Sequence, residues 1–457
     1  MALLEFDTST LHSGESHFQW SDLEQMGEAL EEIIDGLRLD RSSGLLPFLD
    51  LPSACQDRLI KLAETSRERF DRLVVLGIGG SALGARAIYE ALVPPYLDAH
   101  DANSSRRSVW FCENVDPDEF RAMLNALDWE RTQFNVVTKS GCTIETWATF
   151  LVVREELERR FGPEGAKERL VFTTDPERGA LRALAKQLDV ETLDVPPKVG
   201  GRFSALTPVG LYPAAFAGLD VAKLLTGASR AVERSLSSDI FDNPAAVLAA
   251  SQILHYQAGR HIFVIMPYAK ALLSFSEWLC QLWAESLGKR RGDDRVGPTP
   301  VAALGARDQH SQLQLYMEGP IDKNILFLEV SNFSSQVQVP ISKDVSAEVA
   351  HLGGKDLREI LHAELSGVRQ ALVEEGCPVS TIRLRSLTEE SVGALLMLFE
   401  VATAIAGALM GVDPYNQPGV ELGKRYAHGL LGRTKEAHYA AGLREAESKR
   451  ETKLIAI

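Results

Sequence analysis

The chain has 457 residues, 45% apolar and 24% charged, with 48 Lys plus Arg against 63 Asp plus Glu and a formal net charge of −15. That length corresponds to roughly three domain equivalents at ~150 residues each, and the ordinary composition excludes disordered, collagen-like and disulfide-scaffold classes. The acidic balance repels a phosphate backbone, which argues against nucleic acid as a partner, yet leaves room for a small phosphorylated substrate in a local positive pocket.

The first twenty residues lack a basic start followed by an apolar run, so no secretory signal is expected. Five scattered cysteines without a C-x-x-C pair suit a reducing, cytoplasmic setting. Residues 1–45 read as an acidic segment ahead of a first domain at 46–230. There RLVVLG at 72–77 is a continuous apolar run ending in glycine, as a strand buried on both faces should be. Further strands are expected at 108–112, 134–138 and 170–173, with helices at 81–92, 118–127, 143–160 and 177–188. This βαβ alternation implies a parallel sheet with helices on both faces.

Prolines and glycines punctuate 195–201, and 204–224 follows as apolar and mostly helical. The alternation then restarts in a second domain at 231–431. Helices are expected at 244–258, 271–288 and 356–375, and strands at 261–266, 325–330 and 381–385. The most membrane-like stretch, 392–412, has Glu400 in its middle, so it is expected to be a buried core helix rather than a membrane span. A charged helical tail occupies 432–457.

Six segments could carry chemistry. GIGGSALG, from Gly77 through Gly80 and Ser81, follows a strand and opens a helix, where glycines let a ligand approach and free N–H groups attract an anion. A phosphate or sugar loop, a dinucleotide fingerprint and tight-turn packing all fit it. The fingerprint wants an acidic residue about twenty positions on, ending a strand; Asp98 has the distance but no strand, and Glu113 ends a strand but lies too far. The second segment, Thr138, Lys139, Ser140, Gly141, Cys142 and Thr143, gathers hydroxyls and an ammonium at a sheet edge; it suits a phosphate, or Thr143 is a plain helix cap.

In Gly200-Gly201-Arg202, the arginine is a surface charge or a fixed cation near a developing oxyanion. Glu277, Gln281, Glu285 and Lys289 recur every four residues as one polar stripe, for which a solvated face is the simplest explanation. His310 in DQHSQ is a structural or a working histidine. Gln417 and Lys424 lie just beyond the apolar helix, in a loop of the kind that carries function on a rigid scaffold. No cluster has metal-ligand spacing.

Together, in order, GIGGSALG, TKSGCTIET, GGRFS, QLWAESLGK, DQHSQLQ and NQPGVELGK resemble the glucose-6-phosphate isomerase family from about Gly77 to Lys424. The resemblance implies an α/β fold of two sugar-isomerase (SIS-type) domains, each a parallel sheet flanked by helices, and reversible isomerisation of glucose 6-phosphate to fructose 6-phosphate without cofactor or metal. It implies Glu285 as the base between C1 and C2, Arg202 facing the enediolate, and His310 with Lys424 opening the sugar ring. Gly80, Ser81, Thr138, Lys139, Ser140 and Thr143 would hold the phosphate, Gln281 and Gln417 would line the sugar, and Glu145 would only support the phosphate loop. It further implies a homodimer in which His310 reaches the partner's site. The chain is about a hundred residues shorter than the family's long form. Activity on mannose 6-phosphate as well is the nearest alternative; a non-catalytic sugar-phosphate sensor and an NAD-dependent dehydrogenase are more distant ones.

Overall fold

The computed structural model describes residues 2–9, 19–96 and 106–450; Asp98 and tail residues 451–457 lie outside them. In chain order the strands are β1 Leu4–Asp7, β2 Arg72–Leu76, β3 Ser108–Cys112, β4 Thr132–Val137, β5 Leu170–Thr174, β6 Glu191–Asp194, β7 Ile262–Pro267, β8 Lys289–Arg291, β9 Asp294–Val296, β10 Thr299–Ala302, β11 Lys323–Asn332 and β12 Val379–Ser386. Two five-stranded sheets form, ordered β3-β2-β4-β5-β6 and β10-β7-β11-β12-β1. Apart from the last position of each, the two orders repeat one pattern. The first sheet is parallel throughout. The second is parallel except for β1, which pairs antiparallel with β12.

The continuous apolar strands explain the layering. Side chains alternate along a strand, so Leu73 and Val75 point to one face of the first sheet and Val74 and Leu76 to the other, and all four are buried. The first pair joins a large core between the two sheets, which also takes Phe263 and Ile265 from β7. The second pair joins a separate cluster with Phe134, Val136 and Phe172. Val264 and Met266 face a third cluster with Ile325 and Phe327. Helices cover both faces of both sheets, which a buried parallel sheet requires.

The central core is mostly helical. Helix Glu389–Leu409 is the one described helix long and apolar enough to cross a membrane, and it is buried almost throughout in protein. Its closest neighbour is helix Val221–Ser235. A Cβ on Gly227 would lie 1.8 Å from the Glu390 carbonyl oxygen, and one on Gly393 would lie 1.9 Å from that of Leu224. The two backbones therefore touch where only glycine fits.

Several readings of the sequence need adjustment. The apolar stretch 204–224 is two helices, Pro208–Ala217 and Val221–Ser235, separated at Gly218 with φ +85°. The second runs across the expected division near 230. The 1–45 segment is not a simple prelude either: it supplies β1 to the second sheet and helix Gly27–Ser42 to the central core. The tail is helical at Ala437–Ser448.

Glu400 lies wholly buried in helix Glu389–Leu409, and neither carboxyl oxygen has a partner among the described residues. Burial pushes its pKa well above the ordinary 4.5. The folded state therefore holds a proton that the unfolded chain releases. The stability this group contributes is full below the unfolded value and is lost as pH rises above it, at up to about 1.4 kcal/mol per pH unit. Glu400→Gln should narrow the difference in urea midpoint between pH 5 and pH 8. An unchanged difference would mean that the carboxyl does not titrate with folding.

Candidate active site

In an open parallel sheet, ligands bind at the carboxyl ends of the strands where the strand order reverses. The chain leaves β2 for β3 on one side, then returns to β4 on the other. The loops after β2 and β4 flank that crevice, and they are the two hydroxyl- and glycine-rich segments.

After β4, three hydroxyls face one another. Thr138 Oγ1 lies 3.1 Å from Thr143 Oγ1 and 3.4 Å from Ser140 Oγ, and the latter two are 3.4 Å apart. Thr143 occupies the cap position of helix Ile144–Lys167, but its hydroxyl caps nothing; it turns inward instead. The crown thus sits at a helix N-terminus whose free N–H groups and dipole favour an anion. Gly141, at φ +69°, packs on Gly179, where a Cβ would meet backbone at 2.8 Å. Lys139 does not point at the crown. Its ammonium binds the carbonyls of Pro197 and Val199, the latter at 2.7 Å, and burial lowers its pKa against the opposing pull of Asp175. It ties the crown to the loop that carries Arg202. Glu145 is half-buried in the first turn of the same helix.

The loop after β2 meets two other elements at its glycines. A Cβ on Gly79 would lie 3.1 Å from Gln281 Nε2, and one on Gly80 would lie 2.4 Å from the Gly201 carbonyl carbon. Ser204 Oγ donates to the Gly80 carbonyl at 3.0 Å. Ser81 ends the short turn Gly79–Ser81, half-buried.

Arg202 is the centre of the arrangement, its side chain 1% exposed. Its Nε donates to Ser286 Oγ at 2.7 Å. Nη1 donates to Gln417 Oε1 at 2.9 Å and to Glu285 Oε2 at 3.3 Å. Nη2 donates to the carbonyls of Pro414 and Asn416. Five contacts match the five N–H donors of a guanidinium, which is how a buried cation becomes tolerable. Burial lowers its pKa, and Glu285 partly restores it. Glu285 is half-buried, and its other oxygen accepts from Gln281 Nε2 at 3.0 Å.

The stripe of helix Leu273–Leu287 is thus a half-buried seam between elements rather than a fully solvated face. Glu277 meets Arg86 of helix Leu83–Leu92, Gln281 meets Glu285, and Lys289 just past the helix binds Asn416. Arg86 also binds Glu113 and Ser274, so it fastens the helix that follows the β2 loop to the one carrying Glu285. Burial, then the nearby Arg202 charge, lower the Lys289 pKa. Ser286, Asn416 and the Pro414 carbonyl were not singled out from the sequence. Ser286 adjoins Glu285 in the chain, and that adjacency was the available signal; the two carbonyls carry no side-chain signature.

His310 and Lys424 stand apart. His310 is exposed at the end of the turn Arg307–His310, and no side-chain hydrogen bond or ion pair joins it to the described residues. Lys424 is exposed on helix Glu421–Leu430 and pairs with Glu421 at 2.9 Å. Among the described residues no group of three or more His, Cys, Asp or Glu is placed to hold a metal.

Comparison with known proteins follows the same lines. A family model described as phosphoglucose isomerase matches residues 63–448. A glucose-6-phosphate isomerase of Rubrobacter xylanophilus is 44% identical over 437 residues, covering 95% of this chain and 99% of the relative. One of Carboxydothermus hydrogenoformans is 41% identical over 421 residues, covering 90% of each. Among solved structures, a hypothetical protein of Thermus thermophilus superposes with TM-score 0.85 at 35% identity, over 94% of this chain and 100% of that one. A glucose-6-phosphate isomerase of Chlamydia trachomatis does so with TM-score 0.79 at 21% identity, over 98% and 92%, and shares the fold.

Proposed function

The chain belongs to the phosphoglucose isomerase family, and from that premise we propose how it interconverts D-glucose 6-phosphate and D-fructose 6-phosphate, a glycolytic step run in reverse in gluconeogenesis. The observation that carries the proposal is Glu285 held between Arg202 and Gln281, with Gln281 and Gly201 packed against the Gly79–Gly80 loop.

Thr138, Ser140 and Thr143 take the phosphate, with Gly80 and Ser81 on the neighbouring loop. Hydroxyls and backbone N–H groups hold such an anion without much cationic charge. Lys139 acts at one remove, through the carbonyls of Pro197 and Val199. Anchoring the phosphate fixes C1 and C2 against Glu285, converting remote binding energy into orientation. The open-chain carbonyl acidifies the adjacent C–H. Glu285 removes the C2 proton, the enediolate forms, and the same carboxyl returns the proton to C1. Arg202 stabilises the enediolate: all its donors are occupied, and the Nη1 contact to Glu285 is the one released when that carboxylate turns to the sugar. Gln281 and Gln417 orient the two charged groups and line the sugar. No step of this scheme needs a metal or cofactor.

His310 and Lys424 open the ring. We infer that His310 does so in the site of a second copy of this chain, because its ring is exposed and has no hydrogen-bond or ion-pair partner among the described residues. The excursion between β11 and helix Leu357–Glu374 leaves Val337, Ile341, Val345 and Val349 exposed, an apolar surface suited to a partner. We further propose two sugar-isomerase domains, the first from about 46 and the second to about 431, divided beyond the end of helix Val221–Ser235 rather than at 230, with 1–45 packed on the second sheet and the central core and 432–457 as a tail. All five cysteines are free, which accords with a cytoplasmic location.

A coupled assay with glucose 6-phosphate, fructose 6-phosphate and mannose 6-phosphate, with and without chelator, tests the reaction. Turnover of the first pair that survives chelation is expected, and its absence would overturn the proposal. Thr138→Val should lower kcat/KM about tenfold, through both a raised KM and a lowered kcat, since a looser phosphate binds less tightly and holds C1 and C2 less firmly against Glu285. His310→Ala should slow the cyclic substrate far more than open-chain sugar. Mixing inactive Glu285→Gln with His310→Ala and allowing subunits to exchange should restore roughly a quarter of full activity, as a two-fold dimer with shared sites requires. No recovery would place His310 in its own chain's site.

A further inference from the structure

Away from this site, a cavity of about 520 Å³ lies between the outer edge of the second sheet and three helices, Val221–Ser235, Pro244–Gln257 and Glu389–Leu409. That volume falls within the range of small-molecule sites. Its floor is apolar: Leu4 and Phe6 of β1, Ile382 of β12, Val247 and Leu398. Trp20 and Phe241, with ring centroids 6.1 Å apart, form an aromatic wall. None of the residues that contact Arg202 or form the hydroxyl crown lines it.

Its rim carries Arg230 and Arg234, one helical turn apart on helix Val221–Ser235. Like charges at that spacing repel. Each has one carboxylate neighbour. Arg230 Nη1 stands 3.7 Å from Glu390, beyond hydrogen-bond reach, and Arg234 binds Asp242 through Nη2. Both side chains are about half exposed, at 50% and 58%, so most of their ten N–H donors remain open to a ligand. Ser235, in the cavity wall, is wholly buried, and its hydroxyl has no partner among the described residues.

An apolar, aromatic-walled hollow with two guanidinium groups at its mouth, one of them paired with the lining Asp242 carboxylate, fits one chemistry. We propose that this cavity binds an amphipathic monoanion, an aryl or alkyl carboxylate or sulfonate, with its apolar body on the Leu4–Phe6 floor and its head group between Arg230 and Arg234. The apolar body supplies the affinity, and the bidentate geometry of arginine selects the head group.

The test uses the full chain and the fluorescent probe 1-anilinonaphthalene-8-sulfonate. One saturable site per chain in the micromolar range is expected, with energy transfer from Trp20 that is lost in Trp20→Phe. Arg230→Ala and Arg234→Ala should each weaken binding about tenfold, the ratio expected when one charge-assisted hydrogen bond is lost. Ala231→Phe, which fills the cavity, should abolish binding while isomerase activity persists; if that variant does not fold, the two arginine variants decide. Decanoate should displace the probe, whereas decanol at equal concentration and millimolar fructose 6-phosphate should not. Unsaturable or multiple binding, indifference to all the substitutions, equal displacement by decanol, or displacement by the sugar phosphate would each overturn the assignment.

Discussion

Glu285→Gln should lower kcat by roughly 10²–10⁴-fold, the usual worth of a positioned general base, in both reaction directions and with cyclic or open-chain substrate alike. Glutamine keeps the size of the carboxylate but has one acceptor instead of two; its oxygen can take the Arg202 bond at 3.3 Å while its NH2 donates to Gln281 once that amide, now donating at 3.0 Å, flips to present its oxygen. KM and thermal stability should therefore change little. The decisive measurement is solvent exchange at the sugar's C1 and C2. If Glu285 moves the proton, exchange of the carbon-bound hydrogen falls in step with kcat. If turnover falls while exchange continues, another group is the base.

Arg202→Lys should be damaging in two separable ways. Lysine keeps a positive charge but not the fork. Losing one well-placed donor to a developing oxyanion costs about 3–4 kcal/mol in the transition state, some 10²–10³-fold in kcat. The guanidinium also satisfies Ser286, Gln417 and the carbonyls of Pro414 and Asn416. A buried acceptor left unpaired costs about 1–3 kcal/mol, so the melting temperature should fall as well. Methionine in its place would lose the charge and every contact, and should be worse in both respects. A lysine variant with full kcat and a lowered melting temperature would make Arg202 purely structural.

The fold was legible where chemistry is repetitive and local. RLVVLG announces β2 because a strand buried on both faces has no polar positions. β1, β6 and β10 escaped because LEFD, ETLD and TPVA are short, lie at sheet edges and keep polar residues or a proline. The pairing of β1 depends on a partner so distant that no local pattern records it. In the site, the crown was readable from composition and position. The Arg202–Glu285 contact was not, since nothing local links residues 83 positions apart; only the resemblance joined them. The stripe from Glu277 to Lys289 looked solvated because period alone cannot tell water from a polar seam between elements.

Asp7 and Arg383, bonded at 2.6 Å across β1 and β12, are 376 positions apart. A ribosome adding about 5–20 residues per second needs on the order of tens of seconds to cover that interval. Leu4 and Phe6 must wait all that time without the strand they are meant to cover. The first sheet can close while synthesis continues, but the second stays open at one border until β12 has been made. Nascent chains stalled before residue 379 should hence be the aggregation-prone species, and they are where a chaperone would have its longest opportunity to act.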